Sequence, residues 1–159
     1  MKTIKLLLMA AVAIVTMTAC GGKSEDGPTP PSQNGTVVAQ WQLTAWSALP
    51  TTDAVVYAEF HKDGKFDLYQ RLYTPAFVHL TGTYKYSKGH LSGTYSDGVA
   101  WSHTYNVSFA NEGQSMRLTA ADDATDVADY EQTVIPTEIV EGTLSESRAA
   151  ITDAVVRFL

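Results

Sequence analysis

The chain has 159 residues and a formal net charge of −6, from 11 basic and 17 acidic side chains. One cysteine leaves no internal disulfide framework, and an acidic chain without a basic stripe has little to offer phosphates, so nucleic acid is not an expected partner. The length suits one hydrophobic core rather than two.

The first residues form an export pattern. Lys2 and Lys5 are basic, residues 6–15 are apolar, and Met17, Thr18 and Ala19 precede Cys20. A membrane-spanning helix needs about 20 apolar residues, and this run is shorter. The pattern resembles a bacterial lipobox, which implies that residues 1–19 are a signal peptide removed before Cys20. The same resemblance makes Cys20 the lipidation site, with diacylglycerol on its thiol and a further acyl chain such as palmitate on its amine. Several chains together give stable anchoring, so the membrane is expected as a partner through acylated Cys20. Plain secretion is the alternative, and it would leave a lone thiol in an oxidising compartment. Removing Lys2 and Lys5 leaves nine basic residues against seventeen acidic ones, a formal balance of −8.

Residues 20–35 read as a flexible tether, rich in glycine and proline and nearly free of apolar side chains. Fully extended it reaches about 50 Å at roughly 3.3–3.6 Å per residue. Lys23, Ser24, Glu25 and Asp26 resemble the short acidic signal that follows the cysteine of surface-displayed Bacteroidetes lipoproteins. A solvated linker accounts for the same residues. The expected location is the cell envelope, as an outer-membrane lipoprotein, with display at the cell surface left open.

From residue 36 the apolar pattern alternates with period two, which predicts strands. Over residues 37–47, Trp41, Leu43 and Ala45 share one face. Over 54–61, Val56, Ala58 and Phe60 oppose Tyr57, Glu59 and His61, and Lys62-Asp63-Gly64 is a hairpin turn. Residues 66–72 return with Phe66, Leu68 and Leu72 buried, and a strand over 77–86 follows the break at Pro75. Residues 82–98 carry Gly-Thr-Tyr twice, each copy followed by turn residues, so they read as a small meander with Tyr84 and Tyr95 facing inward. The next strand is expected over 101–109, with Trp101, His103, Tyr105, Val107 and Phe109 on one face. After a turn at 111–113 come a strand over 116–121, an acidic loop over 122–129 and a last strand over 130–135, just before Pro136. About eight strands joined by short turns predict an all-β fold, an antiparallel up-and-down β-barrel over residues 36–136.

Several of these residues carry a family resemblance. Trp41-Gln42-Leu43-Thr44, residues 60–66, the paired Gly-Thr-Tyr, residues 95–98 and Ile135-Pro136 together resemble the lipocalin-like lipoproteins of gut Bacteroidetes. The resemblance covers about residues 39–136 and implies a calyx able to hold one small ligand. Lipocalins usually place Gly two residues before the first-strand Trp, where this chain has Ala39. The family also packs an arginine over that Trp, but Arg117 has the wrong parity for the role.

On the predicted inward faces, aromatic walls surround a few polar groups, as a small-ligand site requires. The candidate ligand-binding residues are Phe60, Gln70, Tyr84, Tyr95, Trp101, His103, Tyr105 and Gln132. The same groups could instead satisfy one another in a filled core. His103 is a lone inward histidine, and such a residue is more often hydrogen-bonded in a core than a ligand. Asp122, Asp123, Asp126 and Asp129 lack the glycine and final glutamate of an EF-hand loop and read as a solvated acidic loop. No metal or cofactor is expected. Without Gly-x-Ser-x-Gly, a phosphate-cradling glycine loop or paired interior carboxylates, no enzyme is expected either.

Residues 137–159 form a tail. Ser145 could cap a helix carrying Ile151, Val155, Phe158 and Leu159 against the barrel wall, or residues 154–159 could add a strand. In either case the apolar residues at 158–159 need burial, on this domain or on a partner. Two functions stay open. One is a lipid-anchored envelope protein holding a small hydrophobic or amphipathic molecule. The other is a filled barrel that docks onto another envelope protein.

Overall fold

The computed structural model describes residues 35–50, 52, 54–73, 75–142, 144–145 and 156–159. The expected signal peptide, Cys20 and all of the expected tether except Gly35 lie outside these residues. Eight strands follow one another: β1 (Gln40–Trp46), β2 (Ala54–Phe60), β3 (Lys65–Leu72), β4 (Val78–Ser87), β5 (His90–Tyr95), β6 (Tyr105–Ala110), β7 (Ser115–Ala120) and β8 (Val127–Gln132). Each pairs antiparallel with the next, and β8 returns to β1 with Trp41 opposite Gln132 and Trp46 opposite Ala128. The ring is therefore closed, an up-and-down barrel without free edges.

Local chemistry explains the hairpins. Between β4 and β5 the turn has only Lys88 and Gly89, with φ of 53° and 80°. Positive φ at both central residues matches the right-handed twist of the flanking strands, and glycine adopts it without strain. The ring is least continuous between β5 and β6, where only His90–Asn106 and Leu91–Tyr105 pair. Beyond them β5 pairs with its own following loop: Thr94 bridges Ala100, and the Trp101 N–H donates to the Gly93 carbonyl at 3.0 Å. The strand expected over 101–109 thus begins only at Tyr105.

Strand alternation carries the core. Trp41, Val56, Leu68, Leu80 and Leu91 are wholly buried on inward faces. Burial of each such side chain is worth about 1.5–3 kcal/mol. Tyr57 and Tyr69 face outward yet are also buried, because Ile135, Phe77 and Ile139 cover that stretch of wall. Ile139 belongs to α1 (Thr137–Gly142), the one α-helix among the described residues. It lies earlier than the helix read from the tail, whose residues 146–155 fall outside the described residues. Leu144–Ser145 forms β9, which pairs parallel with Val78 and His79 of β4. Ser145 therefore lies in a strand and caps no described helix.

In β1 the register shifts between Leu43 and Ala45. This bulge inverts the expected parity, leaving Ala45 exposed and Trp46 partly buried against the core. The last strand also starts earlier than expected, because Val127 and Asp129 pair with Thr119 and Arg117 of β7.

The two ends of the barrel differ. At one end the chain before β1 packs across the core, with Val37 buried and its carbonyl accepting the Trp41 indole N–H at 2.8 Å. The opposite end, here the mouth, is framed by the described residues of the loops that follow β1, β3, β5 and β7.

Candidate functional site

The mouth is occupied. Residues 156–159 lie against Trp46, the last residue of β1, Gln70 near the end of β3, Tyr95, the last residue of β5, and Tyr130 of β8. Phe158 and Leu159 are buried within the main core cluster, so the apolar end of the tail enters the barrel rather than lying on its wall.

Hydrogen bonds, ring contacts and an ion pair hold this segment. The Gln70 carboxamide donates from Nε2 to the Val156 carbonyl and accepts at Oε1 from the Phe158 N–H at 3.0 Å. Tyr95 donates its hydroxyl to the Leu159 carbonyl at 3.0 Å. The Phe158 ring sits 4.6 Å from the Trp46 ring and 6.3 Å, edge to face, from Tyr130. Arg157 turns outward to the Asp97 carboxylate, and its guanidinium carbon stands 4.6 Å from the Tyr95 ring centroid. The hydrogen bond from Arg157 holds the Asp97 carboxyl below the usual carboxylate range.

Most candidate residues from the sequence meet in a second group deeper in the lumen. Phe60 places its ring 5.0 Å from Tyr84 and 6.3 Å from Trp101. Phe66 links this group to Tyr95, with centroids 5.6 Å apart, and Trp101 reaches Tyr105 at 6.3 Å. Tyr84 is half-buried and donates to the His61 carbonyl at 2.7 Å. Burial pushes the hydroxyl pKa of both Tyr84 and Tyr105 upward, so both are neutral donors at any ordinary pH. Tyr130 is raised further, again by burial.

Two buried polar atoms have no hydrogen-bond partner among the described residues: Trp101 Nε1 and the Tyr130 hydroxyl. Buried polar groups are nearly always paired, so both are exceptions that carry an uncompensated desolvation cost.

Two candidates lie elsewhere. Gln132, expected to face inward, is exposed, because it is the last residue of β8 and its parity carries it past the packed interior. His103, expected on a strand face, sits in the loop before β6. Its Nδ1 is 2.7 Å from Asp122 Oδ1, and its ring edge faces Tyr105 at 5.9 Å. It belongs to the rim of the mouth rather than the lumen.

The acidic loop residues are locally engaged. Asp126 accepts the Trp46 indole N–H at 3.0 Å, Asp123 accepts from the Thr125 N–H and hydroxyl, and Asp129 pairs with Arg117. Among the described residues no group of three His, Cys, Asp or Glu side chains is arranged to hold a metal ion.

Outside the barrel, Asp67 of β3 accepts from Nε2 of both His61 and His79 at 2.6 Å. His79 stacks on Tyr69 with centroids 4.5 Å apart. An open groove of about 700 Å³ crosses this wall and is lined by His61, Lys65, Asp67, Thr81 and Thr83. Its lining mixes these charged and hydroxyl side chains with the apolar surfaces of Phe66 and Tyr95.

Trp46, Asp97, Arg157 and Phe158 were not candidates from the sequence. The one available signal was the apolar pair at 158–159, which required burial without indicating where.

Fold and site together define a small closed β-barrel with a buried aromatic cluster. No protein-family model matches the chain, and no curated protein or solved structure matches it significantly.

Proposed function

We propose that this protein is a lipid-anchored binding protein of the cell envelope, of the lipocalin-like lipoprotein type, whose barrel mouth takes a hydrophobic or amphipathic guest. The observation that carries this reading is the seating of Phe158 and Leu159 between aromatic walls, with Gln70 and Tyr95 supplying the orienting hydrogen bonds. Contact area from rings and direction from a few polar atoms is how small-ligand sites work. In this reading acylated Cys20 tethers the barrel to the outer membrane through the 20–35 linker, and the protein performs no catalysis. Native mass spectrometry of the protein purified from its own host tests the binding role, and a retained small molecule is the expected result. A Cys20→Ser variant that still partitions with membranes would defeat the anchor.

A second reading has its own support. Phe60, Phe66, Leu68, Leu80, Met116 and Leu118 are each 2% exposed or less, so the deeper lumen is filled. A filled scaffold that docks onto another envelope protein would have this interior. A Tyr105→Ala variant that loses stability alone, in a protein that arrives without a guest, would favour it.

A further inference from the structure

Gln70 is the one polar side chain that is buried in the core among the described residues. A buried carboxamide is unfavourable unless its donors and acceptor are met. Both ends of this one are met by main-chain groups two residues apart, the Val156 carbonyl and the Phe158 N–H. In an extended chain those groups point to the same side, so one carboxamide reads backbone irrespective of the side chain between them. Tyr95 continues the reading at the Leu159 carbonyl. Side chains are sorted separately: the aromatic one goes between Trp46 and Tyr130, and the basic one turns out to Asp97. Backbone bonds for affinity combined with pockets for particular side chains is the logic of peptide recognition.

We infer that the mouth is a peptide-binding site for an extended segment of another protein, in which a basic residue is followed by an aromatic and an aliphatic one. Residues 156–159 are the resident copy of that ligand. The inference rests on the binding role proposed above and names its ligand class. A purely hydrocarbon guest would leave the Gln70 carboxamide unmet, whereas a peptide satisfies it. Because the resident segment belongs to the same chain, it rebinds without crossing solution. An incoming peptide therefore displaces it only at concentrations well above its own Kd, which makes the segment a threshold.

Phe158→Asp in the full chain places a charge between Trp46 and Tyr130 and unseats the resident segment. A fluorescent peptide copying residues 154–159 is then titrated by anisotropy. Binding to this variant should be about tenfold or more tighter than to the wild type, whose site is taken. Adding Gln70→Leu should weaken it by about tenfold or more. Adding Asp97→Asn should cost only a few-fold, and the loss should shrink as salt rises. A folded Phe158→Asp variant that ignores the peptide overturns the inference, as does affinity that Gln70→Leu leaves unchanged. If Phe158→Asp does not fold, hydrogen exchange on the wild type decides. The Phe158 amide should exchange about a hundredfold faster than that of Leu68, by local opening, and faster still with excess peptide. Equal protection of the two amides overturns the inference. Concentration-dependent dimers that Phe158→Asp abolishes would reveal exchange of the segment between copies and would overturn the assignment to another protein. Recovery of a small molecule from the host with no peptide affinity removes the peptide class and leaves the binding role standing. Absence of both removes both.

Discussion

The indole of Trp101 packs against the backbone of Gly93, where an added Cβ would stand 2.4 Å from its ring. The missing side chain is what lets the loop after β5 fold its tryptophan onto Phe60 and Phe66. Gly82, on the neighbouring strand, is tighter still: a Cβ there would meet the Thr94 carbonyl oxygen at 2.2 Å and the Phe66 ring at 2.7 Å.

Both glycines therefore resist substitution, but unequally. Gly93→Ala displaces a side chain and should cost about 1–3 kcal/mol, the usual range for overpacking. Gly82→Ala confronts paired backbone, which cannot rotate away, and should cost more. Urea melts of the two variants check the order, and tryptophan emission should shift to the red in Gly93→Ala as Trp101 is pushed outward. Equal costs would mean that Trp101 is not seated on Gly93.

Tyr130 makes the opposite prediction. Its hydroxyl is fully buried without a partner among the described residues, so Tyr130→Phe removes an unmet polar group. Stability should hold or rise, by up to about 1–3 kcal/mol. Thermal melts in the absence of any guest measure this. A clear loss would show that the hydroxyl has a partner in the free protein.

Asp67 sets an acid limit. Hydrogen bonds from His79 and then His61 hold its carboxyl below the usual carboxylate range, against the upward pull of burial. With the folded pKa depressed, the unfolded chain binds the extra proton first, so stability rises with pH through that window. The contribution is complete above the ordinary aspartate value of about 3.9 and is lost as pH falls through the folded value. Asp67→Asn should therefore melt lower than the wild type at neutral pH, with the gap closing only in acid. A gap that persists unchanged in strong acid would rule out this origin.

Arg117 and Asp129 face each other across β7 and β8, with Nε to Oδ1 at 2.6 Å and Nη2 to Oδ2 at 2.9 Å. The bidentate geometry is good, yet the pair lies on the outer surface. A double-mutant cycle should return about 0.2–1 kcal/mol, falling as salt is added.

The strands were legible because alternation reports which side of a sheet each residue occupies. That rule placed Phe60, Tyr84, Tyr95 and Tyr105 correctly and kept Arg117 outside. It carries no information about position along the barrel axis, so Gln132 at the end of β8 looked equivalent to Tyr130 in its middle. It also fails silently at an irregularity: the bulge after Leu43 turned Ala45 outward and Trp46 inward. His103 and Trp101 kept the parity of β6 on paper although the strand begins after them. The meeting of Gln70 with Phe158 spans 88 positions and leaves no periodic trace, since only the closed ring brings the two together.

The short β5–β6 ladder gives the ring a clasp. A closed barrel under thermal or mechanical load parts where the fewest bonds must break at once, and only two residue pairs join these strands. Trp101 fills the gap beside that ladder, so a breach there would release the aromatic cluster and the mouth together. The seam that is weakest in hydrogen bonds is thus the one whose integrity rests most on side-chain packing.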